Sequence, residues 1–347
     1  MTTRFKTDLA RMAEEVNDAD LADRARSGSR RRHTRRLVAG CALLLVALPL
    51  AVVGALRLAP DDSAPPAAEL DGSFLYLRDD TESGGRAELV RWNGSVGETV
   101  VSIDAEGFAN LTVSPDGKRA AWQQTGGSDI DVMVADLSDG KPRKLLSHPA
   151  DACAEPAWAP TGDRLLTADP AGGLRWTDAG SGDAAGHLET ATEVSTQLCS
   201  VHPAARSKQR FDVYYAAAEP FRLRYLGPNG AIRDADSTTA IRGSGDWDGV
   251  SAIDPHGERL CLTSSTSSDD DLRYPRCDAI VDTGTGRLLR DFRDGPVTQV
   301  LFLADGRTIS RDADGALELR DAEQRTEATA GEDPRWSNAR LLAYLPE

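Results

Sequence analysis

The sequence predicts an all-β protein built from about six copies of one short-stranded unit, and three observations predict it. The first is a tight turn that runs into a strand. In Ser114-Pro115-Asp116-Gly117-Lys118, Pro115 presets φ for the second turn position and Asp116 suits the third. Gly117 can take the left-handed conformation that closes the turn, and the apolar stretch Ala120-Ala121-Trp122 follows. The second observation is recurrence. Ala159-Pro160-Thr161-Gly162-Asp163 leads into Leu165-Leu166, Asp254-Pro255-His256-Gly257-Glu258 into Leu260-Cys261-Leu262, and Leu303-Ala304-Asp305-Gly306-Arg307 into Thr308-Ile309. Weaker copies are read at His202-Pro203-Ala204-Ala205-Arg206 and at Trp336-Ser337-Asn338-Ala339-Arg340. The third is spacing, since successive copies lie 33 to 52 residues apart. A period of roughly 40–50 residues holding several short strands is the mark of a β-propeller blade.

These residues resemble the TolB-type, WD-repeat-like propeller repeat, whose pattern is Ser-Pro-Asp-Gly-Lys followed by an apolar strand. The resemblance spans residues 70–347 and implies an architecture rather than a ligand, because that repeat serves unrelated functions. The short tail ahead of the membrane span also resembles those of actinobacterial membrane proteins that associate with regulators.

Composition agrees with many turns, at 31 Gly and 18 Pro in 347 residues. The net charge of −15 is unevenly placed. Residues 1–36 hold 10 basic and 6 acidic residues, leaving 30 and 49 for the rest, a balance of −19. A body this acidic repels phosphates, so nucleic acid is excluded as a partner.

Along the chain, residues 1–36 read as a short helical cytoplasmic tail. Phe5, Leu9, Met12 and Val16 recur at helical spacing and are the candidate docking residues for a cytoplasmic regulator. Seven arginines between Arg24 and Arg36 then precede residues 37–56, an uncharged run of twenty. At about 1.5 Å per residue this run matches the roughly 30 Å bilayer core. The arginines place the amino terminus in the cytoplasm and everything after Arg57 outside. The expectation is an uncleaved single-pass anchor rather than a signal peptide, a twin-arginine signal or a lipoprotein box at Cys41. Residues 57–69 read as a proline-rich linker.

Strands begin at Phe74. The chain ends in the strand-like Leu341-Leu342-Ala343-Tyr344, so one blade is expected to combine both ends, which removes two open sheet edges. The expected blades are 108–148, 151–190, 194–240, 247–293 and 296–330, plus a composite of 70–105 and 333–347. Six is the predicted count, with five and seven as its neighbours.

No constellation points to catalysis, a metal or a cofactor. The five histidines are scattered, with His202 and His256 assigned to turns, and no Gly-x-Ser-x-Gly elbow is present. Asp269-Asp270-Asp271 lacks the spaced oxygens of a calcium loop and reads as a hairpin tip. The six tryptophans read as core, with Trp158 and Trp336 at equivalent repeat positions. Outside the membrane an even set of cysteines remains, for which Cys153–Cys199 and Cys261–Cys277 are the expected disulfides, each worth roughly 2–4 kcal/mol.

The function expected is that of a non-catalytic, membrane-tethered module that binds a protein or peptide at the propeller loops. The rivals are an envelope enzyme or a glycan-binding protein using the propeller funnel, and a purely structural envelope protein. A cluster of carboxylates and histidines at the funnel mouth would favour the enzyme.

Overall fold

The computed structural model describes residues 68–346 apart from 80–84, 105, 150–154, 189–199, 208–209, 218–220, 228–230, 265–275, 294 and 296. The tail, the apolar run 37–56 and most of the linker therefore lie outside the described residues. Among those described, no helix is long and apolar enough to cross a membrane.

The strands follow in chain order. First come β1 (Ala68–Glu69), β2 (Gly72–Asp79), β3 (Arg86–Trp92) and β4 (Gly97–Asp104). The next four are β5 (Phe108–Val113), β6 (Arg119–Gly126), β7 (Asp129–Asp136) and β8 (Pro142–Pro149). Then come β9 (Ala157–Trp158), β10 (Arg164–Ala168), β11 (Leu174–Asp178) and β12 (Ala184–Leu188). After β13 (His202–Ser207), β14 (Arg210–Ala217), β15 (Arg222–Leu226) and β16 (Ile232–Asp234), the helix α1 (Thr238–Ser244) intervenes. It leads to β17 (Trp247–Ile253), β18 (Arg259–Ser264), β19 (Ala279–Asp282) and β20 (Leu288–Asp291). The last are β21 (Val297–Phe302), β22 (Thr308–Asp312), β23 (Ala316–Arg320), β24 (Thr326–Gly331) and β25 (Arg340–Pro346).

They form six sheets, five of four antiparallel strands and one of four with a fifth strand added, and so a six-bladed propeller. Blade 1 is the composite, in the order β25-β2-β3-β4, and blades 2 to 6 follow along the chain. Between neighbouring blades lies a wedge of apolar side chains, and there are six such wedges. Leu75, Leu89, Leu111 and Trp122 fill the one between blades 1 and 2, and Phe74, Tyr76, Ile309 and Trp336 the one between 6 and 1. In central strands such as β2, alternate residues feed opposite wedges and read as a continuous apolar run, whereas outermost strands such as β12 and β16 are largely exposed. All six tryptophans are buried, as core residues should be.

The repeated turns form as the sequence requires. Gly117, Gly162, Gly257 and Gly306 all have φ between 66° and 87°. Their N–H groups donate to the carbonyls of Ser114, Ala159, Asp254 and Leu303 at 2.8 to 3.1 Å. Each turn joins the innermost strand of its blade to the second.

Three expectations are corrected, and one helix is added. The segment from His202 to Arg206 is not a turn but lies within the innermost strand β13. It lacks the turn glycine, and Pro203 is tolerated there because β13 is the edge strand of its sheet. Trp336 is not equivalent to Trp158. It sits in a 3-10 turn (Pro334–Trp336) ahead of an innermost strand and stacks on Tyr76 at 5.0 Å, whereas Trp158 lies in β9 itself. In blade 1, the place of the repeated turn is taken by the meeting of Pro346 and Gly72, the two ends of the fold. Helix α1 was not foreseen. Its Ile241 is fully buried, and the Trp247 indole donates to the Ile241 carbonyl at 3.0 Å. Finally, Ala68–Glu69, assigned to the linker, pairs in parallel with Ala328 and Thr329, giving blade 6 a fifth strand.

Candidate functional site

The six innermost strands β25, β5, β9, β13, β17 and β21 surround a cavity of about 490 Å³. They all run the same way, so the cavity has two unlike ends. At the end where the repeated turns lie, the wall is made by Pro115, Pro160, Pro255, Ala304 and Pro346. At the strand starts, away from those turns, it carries Asn110, Glu155, Ser200, His202 and Arg340. A second cavity of about 200 Å³ shares Asn110, Leu111 and Arg340 and adds Asp79 and Asn338.

Each polar group has a local reason for its position. Asn110 stands at a bulge in β5, in the left-handed region at φ 55°, and its amide donates to Gln123 Oε1 at 2.7 Å. Gln123 in turn lies 3.5 Å from His148 Nε2, and both side chains are buried. His202 Nε2 lies 3.0 Å from the Val250 carbonyl and 3.2 Å from Ser200 Oγ. A carbonyl can only accept, so Nε2 carries the hydrogen and His202 is the Nε2–H tautomer. Burial pushes its pKa down to about 4, with the Val250 carbonyl pulling the other way, so the ring is neutral near pH 7. Burial also raises the Glu155 carboxyl, opposed by the charge of Arg340.

The sequence-predicted site residues fare unevenly. Cys261 and Cys277 are brought together, fully buried and 5.5 Å apart at Cα, the placement a bridge requires. They lie in the wedge between blades 5 and 6 beside Phe292 and Val300. Cys153 and Cys199 lie outside the described residues, as do Phe5, Leu9, Met12, Val16 and the Asp269-Asp270-Asp271 run. Sequence reasoning missed the polar end of the cavity. A signal existed, since Asn110 and Glu155 each stand four residues before a repeated turn, where a strand facing only core would carry an apolar residue.

No family model matches this chain, and no curated protein matches it. Among solved structures it is similar to TolB from Acinetobacter baumannii (14% identity, TM-score 0.46, covering 75% of this chain and 67% of that one). It is similar to a chain of a nidogen/laminin complex (13%, 0.47, 78% and 96%). It is also similar to the propeller domain of the Trilobed protease from Pyrococcus furiosus (14%, 0.44, 75% and 83%). These are likenesses of fold; the six sheets described above establish the propeller in this chain.

Proposed function

We propose that this protein is a non-catalytic binding module: an extracytoplasmic propeller, tethered through residues 37–56, that engages a protein or peptide partner, with the tail around Leu9 engaging a cytoplasmic regulator. The observation that carries the binding reading over the enzymatic one is the tautomer of His202. Ser200 and His202 are the nearest approach to a nucleophile and base in the cavity, 3.2 Å apart. The nitrogen facing Ser200 already bears the hydrogen given to Val250, so it cannot take the serine proton, and among the described residues no carboxylate is bonded to His202 to reorient it. The broad ring of turns and outer loops offers a rigid docking surface instead. The apposition of Cys261 and Cys277 supports placement outside the cell membrane, where a disulfide persists.

The test is a cross-linked pull-down of the intact protein beside versions lacking residues 1–36 or the propeller, and beside Leu9→Asp. Each deletion should lose a different partner, and Leu9→Asp should lose only the cytoplasmic one. Identical captures by Leu9→Asp and wild type would end the signalling half of this reading. A Ser200-dependent hydrolytic activity would end the non-catalytic half.

A further inference from the structure

A second ring of turns, between the third and fourth strands, repeats in the structure although its sequence is loose. Asp136 accepts from Ser138 N and Oγ at 2.9 and 2.7 Å. Asp178 accepts from Gly180 N and Ser181 N at 2.9 and 2.8 Å, and Asp282 from Thr285 N and Oγ1 at 2.7 and 2.6 Å. In blade 6 Asp321 accepts from Arg325 N at 2.8 Å. In blade 1 the same place is held by an asparagine. Asn93 Oδ1 accepts from Ser95 N at 3.2 Å, Ser95 Oγ at 3.1 Å and Val96 N at 3.0 Å.

Two further features of the outer turn in blade 1 bear on its chemistry. The residue after the aspartate is Leu137, Ala179, Thr283 or Ala322 elsewhere, but here it is Gly94, at φ 89° with no atom within 4 Å of where a Cβ would stand. In blades 2, 3 and 5 the N–H of that following residue is tied to the neighbouring repeated turn, at the carbonyls of Lys118, Asp163 and Glu258, 2.8 to 2.9 Å away. In blade 1 the two chain ends replace that turn, and the Gly94 N–H donates to no described residue.

We propose that Asn93-Gly94 is a self-modification site, at which the protein deamidates its own asparagine and converts blade 1 towards the aspartate turn of its neighbours. The Gly94 nitrogen gives its proton to solvent base and attacks Asn93 Cγ. Negative charge develops on Oδ1, where the Ser95 and Val96 N–H groups already point, as in an oxyanion hole. The Cγ–Nδ2 bond breaks and ammonia leaves with a proton from water, giving a succinimide between residues 93 and 94. Water then opens either carbonyl, yielding aspartate or isoaspartate. The net change is one water taken up and one ammonia released, with no oxidant or reductant. Aspartate keeps the turn with a charged acceptor, whereas isoaspartate adds a backbone atom to the hairpin beside Trp336, which approaches Gly97.

The experiment ages the intact protein at pH 8.5, folded and in urea, and follows the residue-93 peptide by mass spectrometry with isomer separation. A gain of about one mass unit at Asn93, in two isomeric products, should appear in the folded protein at least as fast as in the unfolded chain. Asn110, bonded to Gln123 and followed by Leu111, should stay unchanged in the folded protein. Gly94→Ala should slow the reaction at least tenfold, and Ser95→Pro, which deletes one N–H of the hole, should bring the folded rate below that of the unfolded chain. A folded rate slower than the unfolded one in the wild type would overturn the proposal, because the hairpin would then protect Asn93. So would an unchanged rate in Ser95→Pro, checked for folding by circular dichroism.

Discussion

Blades 2, 3 and 5 hold themselves together locally, whereas blade 1 is held from a distance. In the former, the inner turn closes on its own backbone, and its last carbonyl receives the N–H of the outer turn at 2.8 to 2.9 Å. Blade 1 has no inner turn. Its strands β25 and β2 come from opposite ends of the fold and are fixed by side chains. Tyr344 donates to the Asp71 carbonyl at 2.5 Å, and Tyr76 stacks on Trp336. Behind them Arg311 of blade 6 binds Glu332 at 2.6 Å and the carbonyls of Ala339 and Trp336 at 2.8 and 2.6 Å. The difference is one of entropy. A local turn closes a short loop, while blade 1 closes a loop of nearly the whole domain, so it requires stronger contacts to stay shut.

The largest expected effect therefore comes from the closure. Arg311 and Glu332 are both almost fully buried. Burial raises the Glu332 carboxyl, with Arg311 opposing that rise. Arg311→Met should cost about 3–5 kcal/mol, since it strands a buried carboxylate and the carbonyls of Ala339, Trp336 and Ser337. Urea unfolding midpoints would measure it. Removing both charges, in Arg311→Met with Glu332→Leu, should recover part of that loss. If the double variant is as weak as the single, the carbonyl contacts, not the ion pair, hold the blade.

Next in size is a pair of glycines in corresponding outer turns. A Cβ on Gly140 of blade 2, at φ 64°, would stand 2.3 Å from the Val100 carbonyl oxygen, a backbone atom that cannot step aside. A Cβ on Gly94 of blade 1 meets nothing. Both substitutions to alanine incur the left-handed cost of about 1–2 kcal/mol, and only Gly140→Ala adds a clash. Thermal unfolding should rank Gly140→Ala clearly below Gly94→Ala. Equal losses would mean that blade 2 can shift away from blade 1 at no expense.

The same contrast explains how much of this molecule was legible. The inner turns were read because Pro, Asp and Gly each do one backbone job there, and the job recurs in four blades. The outer turns escaped notice, since only the leading aspartate and a closing glycine recur and anything fits between them. The composite blade was foreseen from its two loose strands, but Arg311, Glu332 and Tyr76 carry no pattern: their partners are set by closure of the ring. His202 was misassigned for a related reason. His-Pro resembles a turn opening, yet without a glycine the strand simply continues. The polar end of the cavity is assembled from single residues of different blades, which repetition conceals.

The smallest effect concerns the outer aspartates and pH. Hydrogen bonds from the Ser138 backbone and hydroxyl hold the Asp136 carboxyl below its usual range. The Ser181 N–H does the same for Asp178, and the Thr285 hydroxyl for Asp282. A carboxyl whose pKa is lower folded than unfolded stabilises the protein fully above its unfolded value of about 3.9. That contribution is lost as pH falls through the folded value. The triple variant Asp136→Asn, Asp178→Asn, Asp282→Asn should thus unfold at lower urea than wild type at pH 7, with the gap shrinking towards pH 3. Asp136 is exposed and Asp178 and Asp282 are only partly buried, so the gap should be modest and smaller in high salt. Asn93→Asp should do the reverse, gaining stability at pH 7 and less of it towards pH 3, because it gives blade 1 the same charged acceptor. If Asn93→Asp is neutral at both pH values while the triple variant is weakened at pH 7, the outer turn of blade 1 is not the equivalent of its neighbours. The two N–H groups on Asn93 would then hold an amide as well as a carboxylate.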